Sequence, residues 1–114
     1  MNLGRQQEIF TQALALLLQY SNFRGYQIRM GQVERSVLEA ERLGFENSNH
    51  TRRLAADLHL FRGGKYLQET DDHILLGEFW ERLSGFYDDV PLVFAWGGRF
   101  GDGNHYSIEH KGVI

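Results

Sequence analysis

The sequence has no cysteine among its 114 residues. Disulfide frameworks, thiolate nucleophiles and cysteine-ligated zinc sites are therefore excluded, and any metal must be bound by His, Asp or Glu. Positive charge is not in excess, since 12 Lys and Arg stand against 15 Asp and Glu, which gives a formal net charge of -3. Nucleic-acid binding is not expected, because it normally needs clustered Lys and Arg.

Long hydrophobic runs are also missing. The longest, Ala13 to Leu18, is far shorter than the roughly 20 apolar residues that cross a bilayer, so we expect no stable membrane insertion. The N-terminus carries polar Arg5, Gln6 and Gln7, and no small-residue cleavage site follows the apolar run. This pattern is not typical of a secretory signal and predicts synthesis in the cytoplasm without a signal peptide.

The composition is that of a folded domain. Hydrophobic residues make up 42% of the chain and charged residues 24%, ordinary values for a soluble globular protein. The length fits one compact core, so we expect a single domain over residues 1–114 and a monomer.

Hydrophobic periodicity predicts helices alternating with short strands. The expected helices run from about Arg5 to Gln19, from Val33 to near Gly44, and from Asp71 to Tyr87. The expected strands are Tyr26 to Met30, Leu54 to Phe61 with a Gly63-Gly64 turn into Lys65 to Leu67, a central strand Leu92 to Ala95, and His105 to His110. This pattern predicts an α+β fold, with a small antiparallel sheet and about three helices packed around it.

The third predicted helix leads to two expectations about which side chains are buried. Its buried face should include Leu76, Trp80 and Phe86. His73 lies in its first turn and is expected at the surface. His59 should share a strand face with Asp57, as a half-exposed side chain or as a group that supports a metal ligand.

Two pairs of residues could carry chemistry. His50 precedes Asp57 by seven residues, and Asp102 precedes His105 by three. A catalytic zinc site takes three His or carboxylate ligands and keeps one position for water, and a further carboxylate can act as base. Surface residues and helix caps are the alternative interpretation, although Asp57 lies in an apolar strand pattern where a buried carboxylate needs a partner.

A family resemblance rests on these same residues. Ser48-x-His50 followed by Leu54-Ala55-Ala56-Asp57, with Asp102-x-x-His105 after Trp96-Gly97-Gly98, resembles the paired signature of the zinc D-Ala-D-Ala carboxypeptidase and L-alanyl-D-glutamate endopeptidase family. Ile28-Arg29 with Gln32 resembles the Arg-containing motif of that family. The resemblance spans nearly the whole chain and implies a fold of the hedgehog and D-Ala-D-Ala-peptidase type.

The resemblance also implies roles for individual residues. His50, Asp57 and His105 would bind one catalytic Zn²⁺, Asp102 would be the general base, and Arg29 would contact substrate or the developing oxyanion. Further candidates for contact with the substrate are Gln32, Ser48, Arg53, Trp96 and His110. Many family members carry glycine at the position of Arg53, so this departure marks a subgroup or a different contact with an anionic substrate.

The implied function is hydrolysis of a bond in the peptidoglycan stem peptide by a small phage or prophage endolysin with L-alanyl-D-glutamate endopeptidase activity. Such an enzyme acts on the bacterial cell wall after its release from the cytoplasm. D-Ala-D-Ala carboxypeptidase activity needs the same chemistry and remains open. Two interpretations without catalysis also stay open: a relative that binds the cell wall, and a small interaction domain.

Overall fold

The computed structural model describes residues 1–32 and 49–114, except for the side chains of residues 50 and 51. Two α-helices are present in this part of the chain, α1 (Leu3–Phe23) and α2 (Ile74–Glu81). The strands are β1 (Gln27–Met30), β2 (Ala55–Arg62), β3 (Lys65–Leu67), β4 (Gly85–Tyr87), β5 (Val90–Leu92), β6 (Phe94–Trp96) and β7 (His105–Ile108). Three 3₁₀ turns, Asn49–Arg52, Thr70–His73 and Gly97–Phe100, connect them. The predicted helix from Val33 to Gly44 lies outside the described residues.

The main sheet is antiparallel and has five strands. Its strand order is β1-β2-β7-β6, with β3 also pairing with β2, and β4 and β5 form a separate two-stranded sheet. The α+β prediction is therefore confirmed, as are α1, the short β1 and the β2–β3 hairpin, whose turn uses Gly63 and Gly64 at positive φ. Strand β2 is the centre of this arrangement because it pairs with β1, β3 and β7.

Both helices contribute to one hydrophobic core with one face of the sheet. Leu17 of α1, Trp80 of α2 and Leu58 of β2 are fully buried in this core. The indole Nε1 of Trp80 donates a hydrogen bond to the carbonyl of Ser107 at 2.9 Å, which attaches α2 to β7. Alternate residues of the strands point to the opposite face, so the core occupies one side of the sheet. No helix in residues 1–32 or 49–114 is long and apolar enough to cross a membrane.

The third predicted helix is shorter than expected. It ends at Glu81, and the chain turns into β4, where Phe86 is 78% exposed instead of buried. The Oγ of Ser84 accepts a hydrogen bond from the main-chain N–H of Phe94 at 2.8 Å, and the β4–β5 pairing replaces the predicted helical turn. A short hairpin, in which Phe86 pairs with Pro91 five residues later, thus takes the place of the last helical turns.

The predicted central strand Leu92 to Ala95 is two strands. Leu92 pairs with Gly85 in the small sheet, whereas Phe94 pairs with Ile108 in the main sheet. The chain changes sheets at Val93, which is exposed, and β6 is the last strand in the sheet order of the described residues, so its predicted central position is wrong. The last strand is confirmed but ends at Ile108, before His110.

Candidate active site

The sheet face opposite the core brings Asp57 and His105 together. These residues are direct partners in the β2–β7 ladder, so their side chains leave the sheet on the same side. Asp57 Oδ1 lies 3.5 Å from His105 Nδ1, and both side chains are mostly buried, with 22% and 13% of their surface exposed. Two of the predicted zinc ligands, 48 positions apart in the sequence, are therefore neighbours in space.

This separation suits two ligands of one ion. Donor atoms that each lie about 2.0–2.2 Å from a tetrahedral zinc ion stand about 3.4 Å apart. A neutral or charge-assisted N–H···O hydrogen bond is usually shorter, at about 2.7–3.2 Å. A carboxylate oxygen and an imidazole nitrogen are also donor types that zinc binds well. The distance and the donor types together fit a zinc site.

The position of Asp57 is set by a β-bulge. After the regular pair Met30 and Leu58, the two residues that follow β1 both oppose Asp57: the Gly31 N–H donates to the Asp57 carbonyl, and the Asp57 N–H donates to the Gln32 carbonyl, both at 2.7 Å. A bulge of this kind redirects the strand and is common beside functional sites. It holds the main chain of Asp57 from the side away from His105.

The third predicted ligand, His50, lies in the 3₁₀ turn Asn49–Arg52 that leads into β2. The buried side chain of Asn49 fixes this turn, because its Nδ2 donates to the carbonyls of Ile108 at 2.9 Å and Val113 at 2.6 Å. The turn that carries His50 is thereby attached to the end of β7. The side chain of His50 is not among those that the structure describes, and among the side chains that are described no three His, Asp or Glu lie close enough to share a metal.

Asp102 is placed near the pair by the loop that precedes β7. Its main-chain N–H donates to the Gly97 carbonyl at 3.0 Å, and its carbonyl accepts from the His105 N–H at 3.2 Å. The residue is exposed at the surface. The candidate base therefore belongs to a short, hydrogen-bonded turn that ends at a candidate ligand.

Arg29 lies on the same face of the sheet. It is the partner of His59 in the β1–β2 ladder, and His59 follows Asp57 by two residues on that face. The Arg29 guanidinium carbon is 4.0 Å from the centre of the Phe61 ring, and Phe61 stacks on Tyr66 with ring centres 5.0 Å apart. These contacts hold an exposed cation over an aromatic ring, on the sheet face that also carries Asp57 and His105.

His59 is half-buried, which agrees with one of the two expectations for it. Its Nδ1 lies 3.2 Å from the hydroxyl of Tyr66. Its Nε2 would lie 2.8 Å from a Cβ atom at Gly31, which shows how closely the ring approaches the bulge. The side chain thus fills the space between the bulge and the exposed end of β3.

The remaining predicted substrate contacts lie in several places. Gln32 is at the bulge, and Arg53 is exposed beside β2 with a positive φ of 57°. Trp96 is on the opposite sheet face from Asp57, where it lines a groove with Ile74 and Arg99. His110 lies beyond the other end of β7, and its Nδ1 is 3.1 Å from the side-chain oxygen of Gln6. Ser48 is outside the described residues.

The expectation that His73 lies at the surface is wrong. It is 2% exposed, and its Nδ1 lies 2.8 Å from the hydroxyl of Tyr106, the residue after His105. Burial lowers the pKa of His73 to about 4, and burial raises the pKa of Tyr106. A histidine that follows two acidic residues in a first helical turn gives no sequence signal for this burial, because its partner comes from a distant strand.

Two supporting residues were also missed by the sequence analysis. Asn49 falls in a polar stretch that is typical of a loop, and Gly31 is an isolated glycine at the end of a predicted strand. An isolated glycine next to a strand pattern can signal a bulge or a close approach of two backbones, so Gly31 had a usable signal. Comparison with known proteins gives no further guide, since no family model, curated protein or solved structure matches the chain.

Proposed function

We propose that this chain is a zinc-dependent peptidase that hydrolyses a peptide bond in the stem peptide of peptidoglycan. The observation that carries the proposal is the approach of Asp57 Oδ1 to His105 Nδ1, at 3.5 Å, on one face of the sheet. A second support is the turn that joins Asp102 to His105 through its main-chain hydrogen bonds. The family resemblance of the sequence connects these two features to one activity.

In this proposal His50, Asp57 and His105 hold one Zn²⁺. When bound, zinc supplies a Lewis acid that polarises the peptide carbonyl and makes water more acidic. Asp102 accepts the proton of the attacking water through its carboxylate and then delivers it to the nitrogen of the leaving amine. The exposure of Asp102 and the hydrogen bond between its carbonyl and the His105 N–H suit a group that exchanges protons with solvent beside the metal.

We propose that Arg29 gives the protein its preference for a substrate that carries a carboxylate. Its planar guanidinium can form paired hydrogen bonds with a carboxylate, and its contact with Phe61 limits the orientations that it must lose on binding. The stem peptide of peptidoglycan carries such carboxylates. We therefore propose the L-alanyl-D-glutamate bond as the substrate, with the terminal D-Ala-D-Ala bond as the alternative, and a phage or prophage endolysin as the biological setting.

The proposed fold type follows from the same features. The hedgehog and D-Ala-D-Ala-peptidase type of fold places its ligands on an antiparallel sheet that is backed by helices. The five-stranded antiparallel sheet of this chain, with Asp57 on β2 and His105 on β7, is consistent with that arrangement.

The decisive experiment is digestion of purified peptidoglycan, followed by mass analysis of the fragments. We expect new peptide termini with the zinc-loaded protein, none after treatment with a chelator, and recovery when zinc is restored. The protein should bind one equivalent of zinc. An intact substrate with the zinc-loaded protein, or cleavage that a chelator does not change, would contradict the proposal.

Variants separate the metal ligands from the base. Asp102→Asn should keep the zinc and lose turnover by about 10²-fold or more, because only proton transfer is removed. His50→Ala should lose both the zinc and the activity. Asp89→Asn is the matched control, since it makes the same chemical change in an exposed turn between β4 and β5. Wild-type turnover by Asp102→Asn would remove its assignment as base.

A further inference from the structure

The loop that carries Asp102 is held in place by the segment that follows β6. The Gly97 carbonyl accepts the Asp102 N–H, and a Cβ atom at Gly97 would collide with the Asp102 carbonyl and lie 3.0 Å from His105 Cβ. No side chain larger than hydrogen can stand at Gly97 without moving the loop. The close approach of these two segments therefore depends on glycine at this position.

Trp96 fixes the same loop from the other face of the sheet. Its indole Nε1 donates a hydrogen bond of 2.7 Å to the carbonyl of Gly103, the residue directly after Asp102. The indole ring fills the space that a side chain at Gly77 or at Gly98 would need. Because α2 and the Gly97–Phe100 turn both enclose the ring, its N–H has a fixed direction.

The loop has a third contact at Gly103. A Cβ atom at this residue would lie 2.6 Å from the Cα of Thr70, so the loop main chain packs directly on the start of the 3₁₀ turn before α2. Gly103 is buried, while Asp102 beside it is exposed. One residue of the loop is thus anchored in the protein, and its neighbour presents a carboxylate at the surface.

We propose that Trp96 is a positioning residue for Asp102. The indole N–H holds the Gly103 carbonyl, and this bond sets the main-chain direction from which the Asp102 side chain leaves. This inference rests on the proposed function of Asp102 as general base, and it gives Trp96 a task that does not require contact with the substrate. A proton-transfer group must be within hydrogen-bond reach of its partner, so a small displacement of the loop lowers turnover.

The test removes the indole N–H and keeps the ring. Trp96→Phe should lower kcat by about 10-fold to 10²-fold, as expected when a catalytic group is misplaced by about 1 Å, with a KM change below about threefold. One equivalent of zinc should remain bound. Replacement of Trp96 by 3-benzothienylalanine, which has the indole shape without the N–H, should have the same effect and guards against misfolding of the smaller variant.

A second readout does not depend on activity. Hydrogen exchange of the Asp102 and His105 amides reports how often the loop opens, and loss of the Trp96 bond should speed it by about fivefold to tenfold. Trp80→Phe is the matched control, because Trp80 Nε1 also donates to a main-chain carbonyl, that of Ser107 at 2.9 Å. This control should lower the stability of the fold and speed global exchange, but it should leave the rate of local exchange at the two loop amides unchanged.

The outcomes separate the two proposals. If Trp96→Phe and the benzothienyl variant keep both wild-type kcat and wild-type exchange at Asp102 and His105, the positioning role is wrong. A rise in KM alone, with unchanged kcat, would instead indicate direct contact with the substrate and would also overturn it. If the wild-type protein cleaves no peptidoglycan, the proposed function fails. Faster exchange in the two variants would then show only that Trp96 stabilises the loop, and the positioning role would fail as well.

Discussion

Gly31 is the residue at which one added methyl group should disturb the candidate site most directly. A Cβ atom there would lie 2.9 Å from the Asp57 carbonyl oxygen, 3.1 Å from Asp57 Cβ and 2.8 Å from His59 Nε2. The His59 ring can rotate away. The Asp57 carbonyl cannot, because it accepts the Gly31 N–H at 2.7 Å in the bulge. Gly31→Ala must therefore displace the main chain of Asp57 by a few tenths of an ångström.

The expected cost has two parts. Overpacking at a buried backbone contact should lower the free energy of unfolding by about 1–3 kcal/mol, measured by urea denaturation of the metal-free protein. Displacement of Asp57 relative to His105 should also weaken zinc binding by about 10-fold to 10²-fold, the usual effect of disturbing the support of a ligand. A competition titration with a chromophoric chelator measures this second quantity.

Two further variants make the result specific. Gly85→Ala is the matched control, because a Cβ atom at Gly85 would meet no atom within 4 Å and its φ is not positive, so its free energy of unfolding should change by less than about 0.5 kcal/mol. The double variant Gly31→Ala/His59→Ala should keep most of the cost, since the Asp57 carbonyl is still in the way. Equal stability and equal zinc affinity for Gly31→Ala and Gly85→Ala would refute the reasoning.

Three other perturbations test separate parts of the structure. His73 is buried, and its pKa of about 4 lies below the ordinary 6.5, so the folded protein favours the neutral imidazole. Its contribution to the free energy of unfolding is therefore complete above pH 6.5 and is lost as the pH falls toward 4. His73→Gln should remove about 3 kcal/mol of this pH dependence in urea unfolding, and an unchanged slope would contradict the burial. Asn49→Ala removes two side-chain hydrogen bonds to main-chain carbonyls, of which that of Val113 still accepts the His110 N–H, and should cost about 1–3 kcal/mol by the same assay, whereas a change below about 0.5 kcal/mol would show that water replaces both bonds. Arg29→Gln should raise KM for stem peptide at unchanged zinc content, and an unchanged KM would exclude its contact with the substrate.

Local patterns in the sequence were sufficient for the elements that depend on local contacts. The apolar stripe of α1 and the turn of the β2–β3 hairpin are both determined by neighbouring residues, and both were predicted within a few residues. The error at the third predicted helix lies where two local patterns compete, a helical period and a short hairpin whose turn has Asp88 and Asp89 at positive φ. Phe86 fits a helical spacing, yet the pairing of its strand with Pro91 places it at the surface.

The candidate site was predictable for a different reason. Asp57 interrupts an apolar strand, and a carboxylate in such a pattern calls for a partner from elsewhere in the chain. Sequence alone does not say which residue this is, because the β2–β7 register that makes His105 its neighbour is a property of the folded sheet. The supports at Asn49 and Gly103 depend on contacts between distant parts of the chain, which spacing does not reveal, whereas Gly31 had a usable signal as an isolated glycine next to a strand pattern.

Asp57 and His105 are held by different structural elements from those that hold Asp102. Asp57 and His105 stand at paired positions of an antiparallel ladder, so strand pairing limits their separation before any ion arrives. Asp102 instead lies in a loop whose position depends on single contacts, above all the Gly97 carbonyl and the Trp96 indole. In the proposed site the two ligands are held by strand pairing and the base by loop contacts, so a substitution at Trp96 should change proton transfer more than metal binding.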